Sequence, residues 1–185
     1  DGAEFEGTIT DVTGLPDSFV MEVDSDGPSW VSGSVTGPVT VTLAGVSRFW
    51  LDTESEPALQ PGDLLVGLEI EVHGALTGSP ELATIAATKL KVEPGALEGT
   101  LSSVDIGAGT ITVEISDVDD PFGGAAPVGI ITIQVSAGAW IEGDDGLLTL
   151  ADLASMLAGL GAGESVQLEL EGLEDGTGQV IAWEM

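Results

Sequence analysis

Residues 98–115 read EGTLSSVDIGAGTITVEI, and residues 6–23 read EGTITDVTGLPDSFVMEV. The two stretches align without a gap, and apolar and polar residues alternate further along both copies, in 69–72 and 166–171. Such alternation places the apolar side chains on one face of a strand. Because the offset is about half of the 185-residue chain, the repeat predicts two domains of similar fold. The identical residues are Glu6/Glu98, Gly7/Gly99, Thr8/Thr100, Val12/Val104 and Glu22/Glu114.

The repeat continues to the end of the chain and predicts about five strands in each copy. In both copies the third strand closes on a tryptophan, Trp50 or Trp140, and we expect both rings in the cores. The matching segments are 38–52 with 128–143, 68–76 with 166–175, and 83–92 with 178–185.

One-sided strands of this kind are typical of antiparallel barrels and sandwiches. One helix interrupts them at about 150–160, where Thr149 and Asp152 have the spacing of a capping box. The sequence therefore predicts an all-β protein of two tandem, small, antiparallel OB-like β-barrels, the second with one short helix. We expect the domains at 1–93 and 97–185, with a short linker at 94–96.

A family resemblance supports this prediction. An E-G-T-apolar start, an aromatic residue closing the third strand, a D-L-x-x-G-like segment and an alternating apolar-Glu strand ending in Gly together resemble a family of secreted bacterial β-barrel domains of unknown function, which often occur in tandem. The resemblance implies an OB-like barrel in an envelope or extracellular setting. A chain that begins Asp1-Gly2-Ala3 also fits a mature end, so we expect an extracellular or cell-surface location after signal-peptide removal.

The net charge of the chain limits the kinds of molecule that it can bind. There are 32 acids against three bases, which gives a formal net charge of −29. Such a chain repels the phosphates of nucleic acid and the anionic face of a membrane, so we expect neither nucleic-acid binding nor membrane insertion. It attracts cations instead, either as a surface adapted to high salt or as a secreted protein among divalent ions.

The residues that catalysis commonly uses are scarce. There is one histidine, no cysteine and no tyrosine. Alternation places His73 on the polar face of its strand, as a solvent-facing residue, with a role as a ligand or pH sensor as the alternative. A zinc site of the ordinary type requires several His or Cys ligands. We therefore predict a non-enzymatic protein with no required cofactor.

Carboxylate oxygens are suitable ligands for Ca²⁺. Both copies carry an acidic, Gly- and Pro-containing insertion between the second and third strands, at 24–38 and 117–127. The sequence predicts a Ca²⁺ site from their aspartates, with an ordinary acidic turn as the alternative. The metal-ligand candidates are Asp24, Asp26, Asp117, Asp119 and Asp120.

Contacts with other molecules are predicted from exposed aromatic and basic residues. Trp30 and Phe122 stand in the two insertions, and Trp183 stands on the last strand. Lys89 and Lys91 alternate on the last strand of the first copy, where they guard an edge or pair with acids of a neighbour. These five residues are the predicted interface.

The leading hypothesis is a secreted, non-enzymatic structural protein that assembles with copies of itself, as the subunit of an extracellular filament. Because subunits of such high negative charge repel one another, we expect assembly to depend on cations. The alternative hypothesis is an extracellular binding module for calcium or a glycan, in which Trp30 and Phe122 stack on the sugar.

Overall fold

The structure is a computed structural model that describes residues 3–24, 37–79, 82–120, 122, 126–143 and 146–185. The chain forms two compact units. The first barrel comprises 1–52 and 56–93, and the second barrel comprises 53–55 and 94–185. Among the described residues, no helix is long and apolar enough to cross a membrane.

Strands dominate both units. The first barrel contains β1 (Ala3–Asp11), β2 (Ser18–Val23), β3 (Pro38–Thr42), β4 (Arg48–Leu51), β5 (Glu69–Ser79) and β6 (Leu82–Val92). The second contains β7 (Gly95–Asp105), β8 (Thr110–Asp120), β9 (Ile130–Trp140), β10 (Glu142–Gly143), β11 (Gly146–Leu147), β12 (Gln167–Glu174) and β13 (Val180–Glu184). One α-helix, α1 (Leu150–Gly159), lies between β11 and β12.

Both units close by the same route. In the first barrel the order is β3-β2-β1-β5-β6, and a parallel pairing of β3 with β6 closes the ring. In the second barrel the order is β12-β13-β9-β8-β7, with β13 parallel to β9 and β12 antiparallel to β7. A five-stranded Greek-key barrel of this order is OB-like. The all-β prediction with two OB-like barrels and one short helix is therefore confirmed.

Gly7 and Gly99 stand where the first strand of each barrel passes very close to the backbone of the next strand. A Cβ atom on Gly7 would collide with the backbone oxygen of Glu22, and one on Gly99 would lie 2.7 Å from the backbone oxygen of Glu114. The first strand therefore passes its neighbour at a distance that only glycine permits. In the second barrel this position also coincides with a β-bulge, which bends the strand where the barrel turns.

The two tryptophans that end the third strands differ in burial. Trp50 is 8% exposed, as predicted, because the guanidinium of Arg48 lies over its ring at 4.1 Å from the centroid. Trp140 is 37% exposed, so the prediction that it lies in the core is wrong. The residue two positions before Trp140 is Gly138, which has no side chain to cover the ring.

The helix forms as its sequence predicts. Thr149 is the N-cap, its side chain accepts a hydrogen bond from the backbone N–H of Asp152, and the Asp152 carboxylate accepts one from the Thr149 N–H in return. Leu153 is buried against the core of the second barrel. In the first barrel the equivalent segment forms only a short 3₁₀ turn, Pro61–Asp63, because its prolines prevent a longer helix.

Phe122 belongs to the core of the second barrel. Its side chain is 1% exposed and packs in the cluster that contains Leu97 and Ile133. The prediction that Phe122 contacts a partner or stacks on a glycan is therefore wrong. Strand β8 continues to Asp120, two residues before Phe122. The ring of Phe122 lies against Gly95, where an added Cβ atom would be 2.7 Å from the ring carbon Cγ.

Candidate functional site

Two cross-strand rows of side chains cover the outer face of the first barrel. In one row Glu4 lies opposite His73, His73 opposite Lys89, and Lys89 beside Arg48. In the next row Glu6 lies opposite Glu71, Glu71 opposite Lys91, and Lys91 beside Trp50. We call this surface the charged face, and its charged members are Glu4, Glu6, Arg48, Glu71, His73, Lys89 and Lys91.

Lys91 is held by three carboxylates of its own barrel. Its Nζ lies 2.9 Å from Glu71, 3.0 Å from Asp52 and 3.1 Å from Glu93. Desolvation lowers the pKa of Lys91, but hydrogen bonds to Glu71, Asp52 and Glu93 outweigh it, and the pKa lies above its ordinary value. Burial raises the pKa of Glu93, although its contact with Lys91 acts in the opposite direction. Lys91 is thus an internal cross-link of the barrel wall.

Lys89 and Arg48 point to solvent. Arg48 is stacked on Trp50 and bonded to Glu56 at 2.6 Å, and half of its side chain remains accessible. Lys89 is exposed, and no ion pair joins it to the part of the chain that the structure describes. These two neighbours are the accessible fixed positive charges of the first barrel.

A second cluster on this face joins the one histidine to two glutamates. His73 Nε2 lies 2.5 Å from Glu71 Oε1, and Lys91 contacts the other oxygen of the same carboxylate. Glu4, Glu71 and His73 each offer one ligand atom, and these atoms all lie within 4.8 Å of one another. His73 and Glu71 are half-buried, whereas Glu4 is exposed.

The same face of the second barrel carries carboxylates and no basic side chain. Where the first barrel pairs Glu6 with Glu71, the second pairs Glu98 with Glu169. Where the first barrel pairs a histidine with a lysine, the second pairs Glu171 with Glu184. Residues 94–185 contain no Lys, Arg or His. We call this surface, which includes Glu98, the acidic face. It contains a groove of about 350 Å³, which is lined by Glu142, Gln167, Leu168, Glu169, Glu171, Glu184 and Met185.

The aspartates predicted to bind calcium lie in two different units. Asp24 follows β2 in the first barrel and is exposed, with its backbone N–H bonded to Glu6. Asp117 and Asp119 are exposed on β8 of the second barrel, and Asp120 ends that strand. Among the side chains that the structure describes, those of Asp24, Asp117 and Asp119 belong to no group of three converging ligands. Asp26 lies outside the described residues.

The five predicted interface residues differ in their exposure and in their contacts within the chain. Lys89 is exposed, whereas Lys91 is engaged within its own barrel. Trp183 is half-buried on β13. Trp30 lies outside the described residues, and Phe122 is a core residue, as described above.

Sequence reasoning missed Glu4 and Glu71 because their importance depends on register. Alternation places both side chains on the outer face, but it does not say which residue of β1 lies opposite His73. The signal that was present is the pair Glu71 and His73, two residues apart on one strand, which must share a face.

Neither models of protein families nor characterised proteins give a match to this chain. The resemblance to the secreted β-barrel family therefore stays a prediction.

Proposed function

We propose that this chain is a non-enzymatic structural protein that acts outside the cell and assembles with copies of itself when cations screen its charge. The observation that carries the proposal is the contrast between the charged face of the first barrel and the acidic face of the second. One unit exposes Arg48 and Lys89, and the equivalent surface of the other unit carries several carboxylates and no basic side chain.

Complementary faces on different units of one chain favour a head-to-tail contact. The acidic face of one copy meets the charged face of the next, and the contact uses two different patches. A heterologous contact of this kind produces a filament unless the rotation closes it into a ring. Charge complementarity at such a contact fixes partner and register.

The acidic face also has a reason to accept positive charge. Like charges directly opposite each other across two strands are destabilising, and this surface pairs the exposed Glu98 with the exposed Glu169. Basic side chains of a second copy, or bound cations, reduce this repulsion. The surface is therefore more stable when it is covered or screened.

Cations are needed because the net negative charges of two copies repel each other over long distances. Two copies of net charge −29 repel each other at every distance within the Debye length, which is about 30 Å at 0.01 M salt and about 10 Å at 0.1 M. Ion pairs at about 3 Å are screened much less. We therefore expect monomers at low ionic strength with a chelator, and assembly when Ca²⁺ or moderate salt is added.

Sedimentation velocity and negative-stain electron microscopy test the proposal. The wild-type chain is compared in 10 mM buffer with EDTA and in the same buffer with CaCl₂. The variant Arg48→Gln/Lys89→Gln removes the accessible bases, and Ser102→Glu/Ser103→Glu, at two exposed positions of β7, is a control with the same net charge. We expect assembly of the wild type and of the control, and monomers of the Gln variant. Assembly of all three chains, or monomers under every ionic condition, contradicts the proposal.

A further inference from the structure

We propose that Glu4, Glu71 and His73 form a binding site for a divalent transition-metal ion of the Zn²⁺ or Cu²⁺ type on the outer wall of the first barrel. This inference does not depend on self-assembly, because all three residues lie within one unit and bind the ion without a second copy.

The backbone brings the three ligands together. Glu4 of β1 is the direct cross-strand partner of His73 of β5, and Glu71 precedes His73 by two residues, so that both side chains leave the same face of the strand. The ligand atoms are within 4.8 Å of one another. Metal bonds of about 2.0–2.2 Å bring tetrahedral ligands to roughly 3.5 Å from one another. The exposed side chain of Glu4 closes this difference by rotation about its own bonds.

Lys91 orients the central ligand. Its ammonium binds Glu71 Oε2 at 2.9 Å and leaves Oε1 directed at His73 Nε2. A partner that fixes a ligating carboxylate in this manner is usual around protein metal sites. Binding of the ion displaces the proton of this contact, and Nε2 and Oε1, now 2.5 Å apart, separate to the roughly 3.5 Å of tetrahedral ligands. Asp52 and Glu93, which share Lys91 with Glu71, offset the positive charge of the lysine near the ion.

The donor set selects the class of metal. Imidazole nitrogen combined with carboxylate oxygen suits Zn²⁺, Cu²⁺ and Ni²⁺, whereas Ca²⁺ takes six to eight oxygen ligands. Three protein ligands also leave at least one coordination position open. The ordinary zinc site of several His or Cys side chains is absent from the sequence, and this mixed set is a different type of site that one histidine is sufficient to build.

The single histidine makes the test specific. Untagged protein is titrated with Cu²⁺ and followed by electron spin echo spectroscopy, which detects the remote nitrogen of a metal-bound imidazole. Zn²⁺ binding is measured by calorimetry in parallel. The variants are His73→Gln and Glu4→Gln. The matched control is Glu22→Gln, which removes an exposed carboxylate of the same barrel and lowers the negative charge as much as Glu4→Gln does.

We expect saturable binding of one ion with an imidazole signal. His73→Gln abolishes that signal and weakens Zn²⁺ binding at least tenfold, Glu4→Gln weakens it about tenfold with the signal retained, and Glu22→Gln leaves it unchanged. The site is refuted by the absence of saturable binding, by the absence of an imidazole signal, or by equal weakening in Glu4→Gln and Glu22→Gln, which is the result expected for a diffuse counterion cloud. Glu4 is exposed, so this last comparison remains decisive even if His73→Gln fails to fold.

Discussion

Replacing Lys91 with methionine tests whether the contacts of the charged face stabilise the first barrel. Lys91 bonds three carboxylates and its side chain is 21% exposed, whereas Glu71 is 14% exposed and Asp52 and Glu93 are each 41% exposed. Breaking a fully buried pair costs about 3–5 kcal/mol, and an exposed pair contributes about 0.2–1 kcal/mol. For this half-buried cluster we expect Lys91→Met to lower the free energy of unfolding by about 2 kcal/mol.

Lys89→Met is the matched control, because it removes the same charge two residues away on the same strand. Lys89 is exposed and without an ion pair to the described residues, so we expect a loss below about 0.5 kcal/mol. The assay is urea unfolding, since guanidinium is itself a salt. Both variants are made in a background in which Trp30, Trp140 and Trp183 are replaced by phenylalanine, so that the fluorescence of Trp50 reports the first barrel. The difference between the two variants should shrink in 1 M NaCl, where the Debye length is about 3 Å. Equal losses in the two variants would refute the assignment of Lys91 as an internal cross-link.

Three further predictions concern the second barrel. Phe122→Ala should lower its stability by about 3–5 kcal/mol in urea unfolding, because the ring is fully buried, and a loss below about 1 kcal/mol would place the ring at the surface. Thr149→Ala should cost about 1 kcal/mol by removing the N-cap. Hydrogen bonds from Thr149 lower the pKa of Asp152, so the contribution of the carboxylate should be complete above the ordinary pKa of aspartate and disappear as pH falls through the lowered value, which a pH series of unfolding curves measures. Gly172→Ala should cost about 1–3 kcal/mol, because its Cβ collides with the backbone of Ile181, and an unchanged unfolding midpoint would contradict that close approach.

The sequence was sufficient for the features that local chemistry determines. The alternation in 69–72 and 166–171 predicted one-sided strands, and Thr149 with Asp152 predicted the start of the helix. Each of these depends on the backbone conformation of a few neighbouring residues, which the residue types largely determine.

Features that depend on contacts between distant residues were not predictable in the same way. The sequence predicted that Phe122 contacts a partner, because nothing local shows that its ring packs among Leu97 and Ile133. Arg48 covers the ring of Trp50, whereas Gly138 stands at the equivalent position before Trp140 and leaves that ring exposed. In both cases the ring's burial is decided by tertiary packing.

The candidate site shows the same limit. Alternation places Glu4, Glu71 and His73 on the outer surface, but only the register of β1 against β5 brings Glu4 opposite His73. A shift of two residues would keep all three on the outer face and separate the ligands by more than 6 Å, at about 3.3 Å per residue. The contrast between the charged face and the acidic face likewise required the register of both barrels.

Chemical cross-linking tests the proposed contact between copies most directly. Equal amounts of ¹⁴N- and ¹⁵N-labelled protein are mixed in CaCl₂, treated with a carbodiimide that joins amines to carboxylates without a spacer, and digested for mass spectrometry. The proposal predicts mixed-isotope peptides in which Lys89 is joined to acids of the acidic face, such as Glu98, Glu169 or Glu184. Cross-links of Lys89 only within one isotope, or mixed-isotope links to acids scattered over the whole surface, would contradict it.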